Sequence, residues 1–221
     1  MIFMPIAEIQ NLTFSYDGTS DVISNINLGM EEGQSLFIVG DNGSGKTTLG
    51  RLLSGLEKPT KGTITIAGEK PSEVEIGRRC QLVSFMGQVS HLSVLKSSIA
   101  GEIASFSRES KPLAAEEAYR EWATLHSLPT NTDMNPRDLT TPDLWRFVLG
   151  LYAVVLQPMV LVVDEVFCAG SKQQQDCALD VLERRQQQGK ATIFLYQRNL
   201  SLPFDLTGTL YNNKLTFLKY D

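Results

Sequence analysis

Short apolar runs and alternating segments along the chain predict its strands. Residues 36–39 and 160–163 are continuous apolar runs, the pattern of strands that are buried on both faces of a sheet. Residues 63–66 alternate between threonine and isoleucine, which predicts an edge strand of a small antiparallel layer. Further strands are predicted at 6–14, 82–85 and 191–195, and a hairpin around Asn212-Asn213 is predicted within 207–218.

Apolar residues at helical spacing separate these strands. Helices are predicted at 48–53, 94–106, 113–125, 142–156 and 176–187. From about residue 88 to residue 138 the strand pattern stops and polar sequence with prolines separates the helices. We interpret this region as a helical insertion into an α/β core.

Composition and charge narrow the class of protein. The 221 residues include 20 Lys+Arg and 25 Asp+Glu, a formal net charge of −5, which argues against binding to nucleic acid. Three cysteines without Cys-x-x-Cys spacing indicate reduced thiols in a cytosolic protein. The start of the chain lacks the segments of a signal peptide. Gln157-Pro158 interrupts the most apolar stretch, so we expect a chain that is soluble by itself.

The strongest chemical signal is a glycine-rich phosphate-binding motif, G-x-x-x-x-G-K-[ST], between the predicted strand 36–39 and the predicted helix 48–53. Glycines let several backbone N–H groups face one phosphate, and the following helix adds its positive N-terminal end. We expect Lys46 to reach the β- and γ-phosphates and the Thr47 hydroxyl to ligate Mg²⁺. The predicted phosphate-binding residues of this P-loop are Gly40, Asp41, Asn42, Gly43, Ser44, Gly45, Lys46, Thr47 and Thr48.

Two carboxylates follow the buried run at 160–163. Asp164 and Glu165 are expected at the carboxyl edge of a parallel sheet, where ligands bind in open α/β folds. Asp164 would bind Mg²⁺, and Glu165 would polarise the water that attacks the γ-phosphate. Two acids that merely end a strand are the alternative, which the neighbouring P-loop motif disfavours.

These motifs resemble those of the ATP-binding-cassette (ABC) ATPases, and the similarity covers nearly the whole chain. The resemblance implies that the ring of Tyr16 stacks on adenine and that Gln88, between core and helical insertion, ligates Mg²⁺. Residues 98–104 are similar to the corresponding segment of cobalt-type and energy-coupling-factor transporters.

The implied fold is α/β, with a P-loop NTPase core and a mixed, largely parallel sheet. An N-terminal antiparallel β layer and an inserted α-helical subdomain complete it. The resemblance implies one nucleotide-binding domain over residues 1–221. Its core would take about 1–87 and 157–221, and its helical subdomain about 88–156.

The chain departs from the family at its signature motif. Where the family has L-S-G-G-Q, this sequence reads Leu139-Thr140-Thr141-Pro142-Asp143. Pro142 has no N–H to donate to a phosphate, and Asp143 brings negative charge toward it. Without the family, the segment is a good helix start with Thr141 as its N-cap. We expect it to bind phosphate poorly.

Two further family positions differ. The aspartate that follows the catalytic glutamate in the family is missing from Cys168-Ala169-Gly170-Ser171. Gln197 replaces the switch histidine. Its amide can still donate a hydrogen bond to a γ-phosphate, but it cannot carry a positive charge.

The implied function is that of the ATP-hydrolysing subunit of a membrane importer of the energy-coupling-factor, metal or vitamin type. It would work as a dimer with a second ATPase subunit, identical or not, on an integral membrane transporter subunit. We expect it in the cytoplasm, peripheral on the inner face of the cell membrane. A soluble ABC-type ATPase and a nucleotide-responsive regulatory module are the alternatives. Val89, Leu92, Val94 and Leu95 fit either a groove for the membrane subunit or the core of the helical insertion.

Overall fold

The structure, a computed structural model, describes residues 5–87, 89, 91–107, 112–164, 171–198 and 202–217. Its strands are β1 (Ala7–Phe14), β2 (Ile23–Met30), β3 (Ser35–Val39), β4 (Lys61–Ile66), β5 (Val83–Met86), β6 (Val160–Asp164), β7 (Ala191–Tyr196), β8 (Leu206–Tyr211) and β9 (Lys214–Phe217). Its helices are α1 (Lys46–Leu53), α2 (Ile76–Leu82), α3 (Ile99–Phe106), α4 (Pro112–Leu125), α5 (Thr141–Gly150) and α6 (Lys172–Gln187). In these residues no helix combines the length and the apolar character needed to cross a bilayer.

The chain divides into an α/β unit and a helical unit. The α/β unit takes the described parts of residues 1–87, 158–165 and 182–221. The helical unit takes the described parts of 88–157 and 166–181. The first part of α6, through Val181, therefore belongs to the helical unit, whereas the sequence analysis placed it in the core.

A six-stranded sheet forms the centre of the α/β unit, in the order β5-β6-β7-β3-β8-β9. Neighbouring strands are parallel except for β8 and β9. The side chains of β6 and β7 are all buried, as expected for strands of a parallel sheet that is covered on both faces. The predicted mixed, largely parallel sheet is confirmed, and so are its buried runs.

The second sheet of the α/β unit is antiparallel, in the order β2-β1-β4. β4 lies at its edge, as the alternation of residues 63–66 predicted. β8 and β9 form the predicted hairpin of the larger sheet. Asn212 and Asn213 at its turn have φ values of 46° and 66°, the left-handed backbone that a type I′ turn requires at both central residues.

Buried aromatic side chains form the interior of the helical unit. The rings of Tyr119 and Phe147 meet edge to face at 5.5 Å between their centroids. The indole N–H of Trp122 donates to the carbonyl oxygen of Arg146 at 3.0 Å. A π-helical stretch, Leu151–Leu156, continues α5 and packs against α3 and α4.

The predicted helix 94–106 begins later than expected. α3 starts at Ile99, and Ser98 is its N-cap, with a side-chain oxygen that accepts from the N–H of Gly101. The backbone N–H groups of Leu95 and Lys96 donate to the carboxylate of Glu102, which is 2% exposed. This tertiary contact holds the preceding residues outside the helix.

Candidate nucleotide-binding site

Residues 40–45 of the predicted phosphate-binding motif form a tight loop between β3 and α1, and the motif continues into the first turn of α1. The N–H of Gly40 donates to a carbonyl oxygen of β7 at 3.2 Å, and the N–H of Ser44 donates to the carbonyl of Asp41 at 3.1 Å. Gly43 and Gly45 have φ values of 80° and 101°. Residues with a side chain rarely adopt this conformation, so the path of the loop requires both glycines.

Lys46 opens α1, and its side chain turns back over the loop. Its Nζ donates to the carbonyl oxygen of Gly40 at 2.7 Å and to that of Asp41 at 2.9 Å. Only 4% of Lys46 is exposed, so the cation is held at the centre of the loop. Both acceptors are neutral, and a phosphate group would supply the counter-ion for a charge-assisted hydrogen bond.

The N-terminus of α1 carries no internal cap. Its N-cap residue, Gly45, has no side chain to accept from the first amides, and the first turn contains no acid. Such amides lack an intrahelical acceptor and carry partial positive charge. The Oγ of Ser44 is also buried, without a hydrogen-bond partner among the described residues. A bound phosphate would satisfy these donors, so the residues fit a nucleotide.

Asp164 ends at the same edge of the sheet as the P-loop. It pairs with Leu195 of β7, which pairs with Ile38 of β3, two residues before Gly40. Asp164 is 2% exposed, and α1 packs against its strand, β6. Thr47, in the first turn of α1, is exposed. Carboxylate and hydroxyl oxygens are ligands that Mg²⁺ prefers, so this pair fits the predicted magnesium site.

Tyr16 is held beside the P-loop by two contacts. Its hydroxyl shares a 3.1 Å hydrogen bond with Oγ1 of Thr48. Its ring meets that of Phe14 edge to face at 4.8 Å between centroids, and 57% of the residue remains exposed. A fixed aromatic ring with an open face next to a phosphate site is suited to stacking on a base. The bond to Thr48 was not predicted from the sequence.

Comparison with protein families distinguishes among P-loop proteins. Residues 23–168, which contain the P-loop and Asp164, match the family described as ABC transporter. The chain belongs to the ABC transporter family. The resemblance drawn from the motifs is confirmed, and the chain carries the ATP-binding domain of this family.

Two relatives from the ABC transporter family illustrate the sequence similarity of this chain. The sn-glycerol-3-phosphate import ATP-binding protein UgpC of Yersinia pestis bv. Antiqua is 32% identical over 165 residues, 73% of this chain and 45% of that protein. The spermidine/putrescine import ATP-binding protein PotA of Nitratidesulfovibrio vulgaris is 30% identical over 193 residues, 86% of this chain and 51% of that protein. The chain thus spans about half the length of the curated relatives it matches.

Solved structures of ABC proteins share the fold. An ATP-binding subunit of an ABC transporter aligns with a TM-score of 0.83 at 17% identity, over 96% of this chain and 90% of that one. CbiO1 of Clostridium perfringens, described as part of the ABC transporter complex CbiONQ, aligns with a TM-score of 0.79 at 17% identity, over 96% and 87%. At these identities the likeness establishes the fold.

The remaining predicted residues are placed only in part. Gln88 and Glu165 lie outside the described residues, as do Cys168, Ala169 and Gly170, so their roles stay predictions. Gln197 is exposed and follows β7 at the edge of the sheet that carries the P-loop.

The family's signature position lies at the start of α5, in the helical unit. Thr140 is the N-cap, and the prediction of Thr141 was wrong by one residue. Oγ1 of Thr140 accepts from the N–H of Asp143 at 3.3 Å and donates to Oδ2 of Asp143 at 2.7 Å. This N-cap fixes the helix start one residue earlier. The sequence pattern Thr-x-x-Asp could have predicted Thr140 as the N-cap.

The sequence analysis did not identify Arg146 as a partner of Asp143 at this N-cap. Its guanidinium forms an ion pair with Asp143, one helical turn away. Nη1 also donates to the carbonyl oxygen of His126 at 2.5 Å. The spacing of Asp143 and Arg146 permits the pair on a helix, but the burial that strengthens it comes from tertiary structure.

Proposed function

We propose that this chain binds Mg-ATP in its P-loop and hydrolyses it as the ATPase subunit of a membrane importer. The observation that carries the proposal is the uncapped N-terminus of α1 beneath the buried Lys46 ammonium, at the sheet edge where Asp164 ends β6. Relatives named as import ATP-binding proteins, at 30% and 32% identity, support the direction of transport.

Three described residues of the α/β unit are assigned to the phosphates and the metal. Lys46 binds the β- and γ-phosphates, together with the backbone N–H groups of the P-loop. Thr47 and Asp164 hold Mg²⁺, and Gln88 is proposed as a further ligand. The metal supplies neutralisation of the negative charge on the phosphate oxygens.

Hydrolysis needs a base and donors around the γ-phosphate. Glu165, directly after Asp164, is proposed to accept the proton of the attacking water. Gln197 is proposed to donate a hydrogen bond to the γ-phosphate from its exposed position after β7. The ring of Tyr16 is proposed to stack on the adenine, because it lies beside the P-loop with an open face.

The second ATPase subunit is proposed to differ from this chain and to carry an intact L-S-G-G-Q. The support is the state of the signature segment here. Pro142 has no N–H to donate. The hydroxyl of Thr140 already donates to the carboxylate of Asp143, and the N–H of Asp143 already donates to Oγ1 of Thr140. A nucleotide held by the partner would find few donors on this chain.

Two exposed leucines support docking on a membrane subunit, and with it a peripheral position on the inner face of the membrane. Of the four apolar residues near the start of the helical unit, Val94 is 1% exposed, whereas Leu92 and Leu95 are 88% and 78% exposed. Val94 therefore belongs to the core. Two large apolar side chains that are exposed and only three residues apart along the chain would suit an interaction surface.

The type of importer rests on the sequence of residues 98–104, which is similar to cobalt-type and energy-coupling-factor proteins. The curated relatives are named for glycerol phosphate and polyamine import, two unrelated substrates. These names do not agree on a substrate, so the proposal of a metal or vitamin importer rests on residues 98–104.

ATP binding is tested with Lys46→Ala. Loss of a charge-assisted hydrogen bond should weaken Mg-ATP binding about tenfold or more in a fluorescent-nucleotide titration. Lys58→Ala, a change of an exposed lysine in the same unit, is the matched control. Equal affinity in Lys46→Ala and wild type would show that the P-loop is not the nucleotide site.

Hydrolysis and partner choice are tested by steady-state ATP turnover. Glu165→Gln should abolish turnover while ATP stays bound, and equal turnover in both proteins would exclude Glu165 as the base. Turnover should rise when a membrane subunit and a second ATPase with an intact signature are added. Fast hydrolysis by the chain alone would contradict the unlike dimer, whereas slow hydrolysis with every partner would favour the regulatory module.

A further inference from the structure

Both carboxylate oxygens of Asp143 are engaged inside the chain at the N-terminus of α5. Oδ2 accepts from the hydroxyl of Thr140 at 2.7 Å. Oδ1 is paired with Nη2 of Arg146. The side chain of Asp143 is only 27% exposed, so these contacts fix its position.

Arg146 cannot easily turn away from Asp143. Its side chain is 6% exposed, and Nη1 donates to the carbonyl oxygen of His126 at 2.5 Å. The backbone around it is fixed as well, because its own carbonyl oxygen accepts from the indole N–H of Trp122 at 3.0 Å. The imidazole of His126 in turn contacts the carboxylate of Asp180 at 3.1 Å. The guanidinium is therefore anchored in the interior of the helical unit.

The groups around the Asp143 carboxylate are those that bind anions elsewhere. A helix N-terminus, a hydroxyl and a guanidinium attract phosphate and carboxylate alike. Here the side chain of Asp143 already occupies that position. Arg146 is its counter-ion, and the ion pair as a whole carries no net charge, so occupancy of the site outweighs charge repulsion.

We propose that the carboxylate of Asp143 is a built-in anion, which fills the N-terminus of α5 and excludes a phosphate from it. The consequence for a nucleotide on a second subunit rests on the proposed function. The occupied site itself does not, because it depends only on Thr140, Asp143 and Arg146.

Removal of the built-in anion should create a site for an external one. Asp143→Ala leaves the hydroxyl of Thr140 and the buried guanidinium of Arg146 without their acceptor. The melting temperature should fall by roughly 5 °C or more, because a buried charge loses its partner. Sodium phosphate should then raise it by about 3 °C beyond the effect of sodium chloride at equal ionic strength. Sodium acetate should act in the same direction.

The comparison is made in a Lys46→Ala background, which weakens phosphate binding in the P-loop. Asp138→Ala, a change of an exposed acid just upstream, is the matched control and should show no specific response to phosphate. Asp143→Ala/Arg146→Met should lose the response, because the guanidinium is gone. An equal response in the control, or in the double variant, would overturn the proposal.

A conservative variant keeps the test valid if Asp143→Ala unfolds. Asp143→Asn removes the charge but still fills the position, so it should melt lower than the parent without a specific gain from phosphate. A phosphate gain in Asp143→Asn would show that charge, not occupancy, excludes the anion. ATP is absent from all these measurements, so failure here and failure of the Lys46→Ala binding test are distinguishable.

Discussion

The geometry of the P-loop predicts a sharp effect of Gly40→Ala. A Cβ added at Gly40 would lie 2.6 Å from the carbonyl oxygen of Leu210 and 2.6 Å from Oγ of Ser44. Ordinary van der Waals contact begins near 3.4 Å, so the atoms must separate by about 0.8 Å. Ser44 can change rotamer, but Leu210 belongs to β8, which lies between β3 and β9. The loop itself must therefore move.

Overpacking of this kind costs about 1–3 kcal/mol. Because a bound phosphate needs the loop in its undistorted form, the cost should appear in binding. Since 1.4 kcal/mol corresponds to a tenfold change, Mg-ATP affinity should fall roughly fivefold to a hundredfold in a fluorescent-nucleotide titration.

Two glycines serve as controls for Gly40→Ala. Gly29→Ala in β2 adds a Cβ with no atom within 4 Å and should leave affinity unchanged. A Cβ added at Gly43 also meets no atom within 4 Å, but the residue has a φ of 80°. Gly43→Ala should therefore weaken the binding free energy of Mg-ATP by about 1 kcal/mol, through left-handed backbone strain and not through a collision. Wild-type affinity in Gly40→Ala would refute the reasoning, and so would an equal loss in Gly29→Ala.

Three further changes test the contacts of individual residues. Gly150→Ala would place a Cβ 2.3 Å from Nε1 of Trp122 and should destabilise the protein by about 2 kcal/mol in urea unfolding. Arg185→Met removes a guanidinium from a residue that is 1% exposed, and burial lowers the pKa of this group to about 9. The guanidinium donates to three backbone carbonyls and to a threonine hydroxyl. We expect the free energy of unfolding to fall by about 2–4 kcal/mol in the same assay. Tyr16→Phe keeps the ring but loses the bond to Thr48, so ATP affinity should fall less than tenfold, and less than in Tyr16→Ala.

The parts of the fold that sequence predicted are those with regular periodicity or a fixed motif. β6 and β7 are buried along their whole length, so an apolar run identifies them without knowledge of their neighbours. The P-loop was predictable because each of its constraints is local. Gly45 must take a φ of 101°, and Lys46 must follow it at the first position of α1.

Elements that depend on irregular backbone or tertiary contacts were missed. In β2, Ile23 and Ile26 are both buried although three residues apart, because Asn25 between them has a φ of 51° and the pairing register shifts nearby. The bulge hides the alternation that identifies a strand. α2 buries only Leu82 among its residues, so it has no apolar periodicity to detect, and Leu82 was assigned to the following strand.

The capped N-terminus of α5 bears on which second ATPase subunit can complete the pair. A pair of identical chains related by a twofold axis repeats every feature, so each nucleotide would face the same capped segment of Thr140 and Asp143. Self-association therefore cannot supply donors that one copy lacks. The proposed unlike partner with an intact signature would supply them at the nucleotide held by this chain's P-loop, and the proposed built-in anion would then limit only the other nucleotide. Turnover by the unlike pair should accordingly depend on Lys46 of this chain more than on Asp143.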